Sequence, residues 1–197
     1  MYENVSEQRK QELNILKVWA ECAGDTYYYS MPQSRFDKNM EGCEEEEFFK
    51  AYSRQRKIGL EEFANEILSQ IASIQHSEEL HYLLDGYNYD NGNWTVMQCL
   101  SNPCCDIRTA RMVYWLMSPD YYYAQYGDLE HVPESDINIK NSTVLKFIEG
   151  KALSQAFAHG LASEYVDAEV PNTNEYIAMF PDAFFADANC LHQVSQV

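Results

Sequence analysis

Residues 60–74, LEEFANEILSQIASI, decide the fold class. Leu60, Phe63, Ile67, Ile71 and Ile74 recur every three or four positions, the spacing of one buried stripe on an α-helix. Working upstream, Gly59 interrupts the pattern and residues 41–57, EGCEEEEFFKAYSRQRK, supply a second helix. There Glu44 to Glu47 precede Phe48, Phe49 and Tyr52, and Arg54, Arg56 and Lys57 follow. Acids in the first turn and bases in the last complement the helix macrodipole. Further upstream, residues 6–22 read as a helix with Ser6 as N-cap. Leu13, Leu16, Trp19 and Ala20 form its apolar stripe, and Gly24-Asp25 ends it. Tyr27, Tyr28 and Tyr29 open an irregular stretch containing Pro32.

Downstream, a short helix is expected at 78–84. DGYNYDNGNW, residues 85–94, reads as a polar aromatic loop. Thr95 to Leu100 resume a helix that stops at Asn102-Pro103. Asp106 is a good N-cap for the next, with Ala110, Val113, Tyr114 and Met117 facing inward. Ser118-Pro119 starts another short element, and 127–136 is a loop. Residues 142–159 are expected to be helical, with Ser142 at the cap, Val144, Leu145, Ile148, Leu153 and Phe157 inside, and Gly160 at C′. Pro171 and Pro181 limit the last thirty residues to short pieces. Runs of β-branched residues with period two are missing. The expected fold is therefore all-α: short antiparallel helix pairs, with a solenoid-like stacking, in one helical domain over residues 1–197.

Charge narrows the functional classes. The formal net charge is -17 over 197 residues. No lysine or arginine occurs between Lys57 and Arg108, a stretch holding Glu61, Glu62, Glu66, Glu78, Glu79, Asp85, Asp90 and Asp106. After Lys151, Glu164, Asp167, Glu169, Glu175, Asp182 and Asp187 again have no basic residue among them. Extended negative potential speeds encounter with cationic partners. It disfavours direct binding to nucleic acid or to an anionic membrane, both of which need Lys and Arg against phosphate. Fifteen tyrosines supply side chains with an apolar body and a polar tip, which suit half-buried and binding positions.

No apolar run approaches the ~20 residues of a bilayer span, and MYENVSEQRK has no apolar signal core. A cytoplasmic location with reduced thiols is expected for Cys22, Cys43, Cys99, Cys104, Cys105 and Cys190.

Candidate chemistry is weighed by spacing. His76 and His81 are i and i+5, about 140° apart on a helix, so they cannot share a metal on one face, and His81 reads as a packed side chain. Counting back from Gly92, the EF-hand template places Tyr87 and Tyr89 where oxygen ligands are needed; turns built by Asx side chains explain the Asn and Asp beside glycine. The sequence has no G-x-S-x-G and no Walker phosphate loop. No metal, cofactor, small-molecule substrate or catalytic residue is assigned.

Residues 80–117, LHYLLDGYNYDNGNWTVMQCLSNPCCDIRTARMVYWLM, carry a resemblance. His81-Tyr82, Asp85, Tyr87-Asn88, Asp90, Trp94, Asn102-Pro103, Cys105-Asp106 and Thr109-Ala110 resemble the pattern of a small bacterial domain, domain-of-unknown-function family 4274. Ser101-Asn102-Pro103 stands in place of a histidine-proline form, and Arg108 stands where glycine is usual. The resemblance implies a helical bacterial domain of a kind found among immunity partners encoded beside secreted antibacterial toxins, including type VI effectors.

The expected function is thus non-enzymatic: an immunity protein that binds and neutralises a toxin, a nuclease above all, because nuclease sites are basic. Glu44, Glu45, Glu46, Glu47, Tyr87, Tyr89, Asp90, Asp182, Phe184, Phe185 and Asp187 are the candidate partner-binding residues, chosen for expected exposure. The alternatives are an acidic adaptor or scaffold for another basic protein, or an enzyme of unknown class.

Overall fold

The computed structural model describes residues 2–42, 46–89 and 92–161. Among these residues there are nine helices and no strand: α1 (Glu7–Gly24), α2 (Gln33–Met40), α3 (Glu46–Ile58), α4 (Leu60–Ala72), α5 (Ser77–Leu84), α6 (Trp94–Ser101), α7 (Ile107–Leu116), α8 (Pro119–Tyr126) and α9 (Ile139–Leu153). The all-α expectation holds. The chain divides into two compact units, Met1–Cys105 and Asp106–Val197.

In the first unit, α1 packs against α3, α4 and α5, α3 packs on α4, and α6 closes against α4 and α5. Ser6 caps α1 as expected, accepting from Arg9 N at 3.2 Å. Leu13, Ala20, Phe63, Ile67 and Ile71 have no exposed surface, and Ile74 is buried just past the end of α4. Gly59 separates α3 from α4 at φ 97, a left-handed value that glycine adopts without a Cβ clash. Gln55, fully buried, donates to the carbonyls of Cys22 and Asp25 at 3.0 and 3.1 Å. It thereby satisfies the end of α1.

One helix departs from the sequence reading. The stretch after Tyr29 is not irregular throughout, because α2 follows directly on Pro32, which occupies its N-cap. Only Phe36 of α2 is buried, so the segment has no apolar stripe to read. Its support comes from Arg56. That guanidinium donates to the carbonyls of Tyr28, Tyr29 and Met31 and to Gln33 Oε1, and lies 4.6 Å from the Phe36 ring centroid.

Asn102 ends α6. Its amide donates to the carbonyls of Ile71 and Ile74 at 3.1 and 3.0 Å, and its Oδ1 accepts from Cys104 N at 2.8 Å. One buried side chain thus serves the C-terminus of α4 and the turn after α6.

In the second unit, α7 and α8 pack on α9. Asp106 caps α7, accepting from Arg108 N at 2.9 Å through Oδ1, while Oδ2 accepts from Gly160 N at 2.7 Å and Leu161 N at 3.1 Å. Ala110, Val113, Tyr114 and Met117 are buried as expected. Ser118 precedes α8, but with φ 52 and no side-chain cap.

The α9 boundaries differ from expectation. The helix begins at Ile139, three residues before Ser142. Asp136 Oδ1 accepts from Asn138 N at 2.7 Å and turns the chain into the helix earlier. Ser142 lies inside, buried, donating to the Ile139 carbonyl at 2.8 Å. The helix stops at Leu153, and Gln155, at φ 54, takes the left-handed place that Gly160 was expected to hold. Leu153 is 72% exposed because the stripe through Leu145 and Ile148 continues to Ala152 instead.

Glu149 of α9 is the described carboxylate that burial pushes upward. Its Oε1 accepts from Tyr114 and Tyr123 hydroxyls at 2.6 and 2.8 Å. Loss of water raises its pKa, and the two hydroxyl donors oppose the rise only in part. A carboxyl with a raised folded pKa holds its proton more tightly when folded. Its contribution to stability is therefore full below the unfolded pKa of about 4.3 and is lost as pH rises through the higher folded value.

Asn102→Ala removes three hydrogen bonds, to the Ile71 and Ile74 carbonyls and from Cys104 N, and urea denaturation should show a loss of about 2–4 kcal/mol; a loss within error of zero would remove Asn102 from its structural role. For Glu149→Gln, the melting temperature relative to wild type should rise between pH 4 and pH 7. A difference that stays constant or falls contradicts the assignment.

Candidate protein-binding surface

The residues chosen from sequence fall into three groups. Glu44, Glu45, Asp90, Asp182, Phe184, Phe185 and Asp187 lie outside the described residues, as do Cys43 and Cys190. Glu46 and Glu47 form the first turn of α3, where Lys50 bridges both at 2.9 and 2.8 Å and Trp19 Nε1 donates to Glu47 at 3.3 Å. Their negative charge is partly compensated within the helix, by i,i+3 and i,i+4 pairing.

Tyr87 and Tyr89 correct the expectation of exposure. Tyr87 is 4% exposed and Tyr89 is half-buried; the rings meet edge to face at 5.6 Å. Gly86, at φ 68, reverses the chain after α5 and sends the pair inward. The Tyr89 hydroxyl donates to the Leu84 carbonyl at 3.0 Å, closing the end of α5. Burial raises the Tyr87 hydroxyl to about 12. Tyr87 is packed inside the unit, whereas Tyr89 keeps part of its surface.

A surface that sequence reasoning passed over lies on α8 and the turn that follows it. Asp136 Oδ2 accepts from the hydroxyls of Tyr121 and Tyr126, at 3.1 and 2.6 Å. Those hydroxyls, Tyr126 foremost, together with Asn138 N, hold the Asp136 carboxyl below its ordinary range, so it stays ionised. The Tyr121 and Tyr126 rings meet edge to face at 6.3 Å, and Tyr121 packs edge-on to Tyr122 at 5.0 Å. Yet Tyr121 remains 43% exposed and the neighbouring Ile137 92% exposed. The result is a braced anion flanked by apolar surface.

The surrounding segment is anionic. No lysine or arginine occurs between Arg111 and Lys140, whereas Asp120, Asp128, Glu130, Glu134 and Asp136 do. Asp128 pairs with His131 Nδ1 at 2.7 Å, and Glu130 with Lys146 at 3.2 Å. The signal was present in the sequence: a base-free interval that coincides with a tyrosine run, PDYYYAQYGD.

Other candidate chemistry resolves into packing. His81 is buried in α5, its ring centroid 5.9 Å from that of Tyr2, while His76 is exposed at the cap of the same helix. Cys22 and Cys99 are fully buried, and burial raises both thiols, that of Cys22 to about 12; thiols so placed are poor nucleophiles. No group of three His, Cys, Asp or Glu among the described residues is arranged to hold a metal. Likewise, no described helix is long and apolar enough to cross a membrane. A cleft of about 740 Å³ opens in the second unit beside Asp106 and Phe157.

Residues 75–151 match the family described as Domain of unknown function (DUF4274). The match extends the resemblance seen at 80–117 and runs from α5 into α9. No curated protein and no solved structure matches the chain. The residues that carry the family pattern do structural work. Asn102 and Asp106 satisfy backbone groups, Thr109 and Ala110 are fully buried, and Asp85 accepts from the Tyr2 hydroxyl at 2.7 Å. Tyr82 meets the Tyr2 ring edge-on at 4.9 Å.

The reactivity of the thiols is directly checkable. Under native conditions a thiol alkylating reagent should modify the partly exposed Cys104 well before Cys22 or Cys99, as read by peptide mass. Equal labelling of all three would contradict the burial.

Proposed function

We propose that this protein is a non-enzymatic, immunity-type inhibitor that neutralises a basic antibacterial toxin, a nuclease domain above all, in the cytoplasm of the producing cell. The face formed by α8 and the turn to α9 is the docking surface in this reading. The observation that carries it is Asp136, kept ionised by two tyrosine hydroxyls and a backbone N–H, with Tyr121 and Ile137 exposed beside it.

A nuclease presents cations to hold a polyanion, and a base-free acidic surface steers such a partner into contact. Steering alone gives rate rather than affinity. Affinity needs apolar anchors that become desolvated at the centre of the interface, and tyrosines are frequent in that role. The Tyr121–Tyr126 pair is already held in place by Asp136, so little side-chain entropy is lost on docking. The resemblance to a family with members beside secreted toxins is compatible with this reading.

Co-expression with the product of the adjacent reading frame, followed by purification and stopped-flow association, tests the proposal. Complex formation is expected, with an association rate that falls steeply as salt rises. Tyr121→Ala should weaken binding by about tenfold or more, and Asp136→Asn should slow association. A rate independent of salt, or full affinity in both variants, would overturn it.

A further inference from the structure

We infer that the face formed by α8 and the turn to α9 takes a lysine side chain from its partner, and prefers an ammonium there to a guanidinium. The inference rests on the proposed docking surface and adds to it the chemistry of the cation received.

Asp136 accepts three donors through two oxygens. Oδ1 accepts from Asn138 N at 2.7 Å, and Oδ2 accepts from the Tyr121 and Tyr126 hydroxyls at 3.1 and 2.6 Å. An ionised carboxylate has about four lone-pair sites, two on each oxygen. Both sites of Oδ2 are therefore filled, and Oδ1 keeps one. No ion pair joins Asp136 to a cation among the described residues; the groups that hold it ionised are hydroxyls and a backbone N–H. The three bonds also fix the plane of the carboxylate between α8 and the start of α9.

This arrangement discriminates between cations. An arginine fork binds a carboxylate best with two parallel N–H donors, one to each oxygen. That mode needs a place on Oδ2, and the tyrosines occupy both. A guanidinium arriving here is restricted to a single contact. Protein interfaces in general favour arginine over lysine, and the two hydroxyls remove the geometric reason for that preference at this point.

An ammonium loses nothing by the same restriction. It is a compact point charge with three donors. One N–H suffices for the open site on Oδ1. A phenolic oxygen that donates its proton remains an acceptor, so the Tyr121 and Tyr126 oxygens offer places for the others. The rings are held edge to face, 6.3 Å between centroids. Tyr121 is part-exposed, and Ile137, the residue after Asp136, is almost wholly exposed. Their apolar surface suits the four-carbon stem of lysine, which packs along such groups while its head stays with polar ones.

NMR titration of the isotope-labelled full chain with N-acetylated tetralysine amide and tetraarginine amide, at constant low ionic strength, tests the preference through the amide shifts of residues 118–139. Tetralysine is expected to bind this segment more tightly, and Asp136→Asn should abolish the difference. Tyr126→Phe keeps the ring but opens a site on Oδ2. It should move the ratio of the two affinities toward tetraarginine by about tenfold, the worth of one charge-assisted hydrogen bond. A merely structural role for Tyr126 would weaken both peptides equally. Tetraarginine binding as tightly as tetralysine to the wild-type chain overturns the inference. So does an unchanged ratio in folded Tyr126→Phe, or the absence of shifts in 118–139. With the product of the adjacent reading frame, an arginine seated on Asp136 would overturn the lysine preference and leave the docking surface standing. A partner seated elsewhere would remove the surface and the inference together.

Discussion

Short helices leave much of their backbone unpaired, and this fold depends on how their ends are satisfied. An α-helix has four N–H groups at one end and four carbonyls at the other without internal partners. In the eight-residue helices α2, α5, α6 and α8, that is a large share of the polar backbone. Three buried polar side chains meet the need where the ends are packed away from water. Gln55 serves the end of α1, Asn102 the end of α4 and the turn after α6, and Asp106 both the start of α7 and the segment after α9. Each is polar, buried and multiply bonded, the condition under which a polar core residue specifies one arrangement rather than weakening it.

The same economy governs charge. In the first unit the cations are largely engaged locally: Arg9 with Glu12 and Glu79, Lys10 with Glu7, Lys50 with Glu46 and Glu47, and Arg54 with Glu66. Arg56 instead organises carbonyls before α2. Surface pairs of this kind add little stability each, but they use up basic charge. The excess acids then dominate wherever bases are absent from the sequence, as they are between Arg111 and Lys140. There the carboxylate of Asp136 is joined to tyrosines rather than to a cation, which leaves its charge uncompensated and its position fixed. That combination separates the α8 face from the acidic start of α3, where Lys50 is already in place.

Much of the fold was legible because its signals were local. Ser6 and Asp106 are caps, Gly59 is a stop, and the stripe through Phe63, Ile67 and Ile71 has helical period; all were readable along the chain. Helix α2 was not, since a single buried phenylalanine gives no period and its support comes from Arg56, over twenty residues away. The α9 boundaries were misread because Asp136, outside the helix, sets its start. Partner-facing residues were harder still. Tyr87 and Tyr89 look exposed in a polar loop, yet the left-handed turn at Gly86 folds them inward. Tyr121 sits in an equally aromatic run and stays at the surface. Sequence patterns report which residues have an apolar body, and only tertiary packing decides which of them keep it in contact with water.

The account is tested most directly by amide hydrogen exchange of the protein alone and in complex with the product of the adjacent reading frame. Slowed exchange concentrated in residues 118–139, lessened when the same complex is studied in high salt, is the predicted result. Protection confined to other segments, with 118–139 exchanging as in the protein alone, would contradict it.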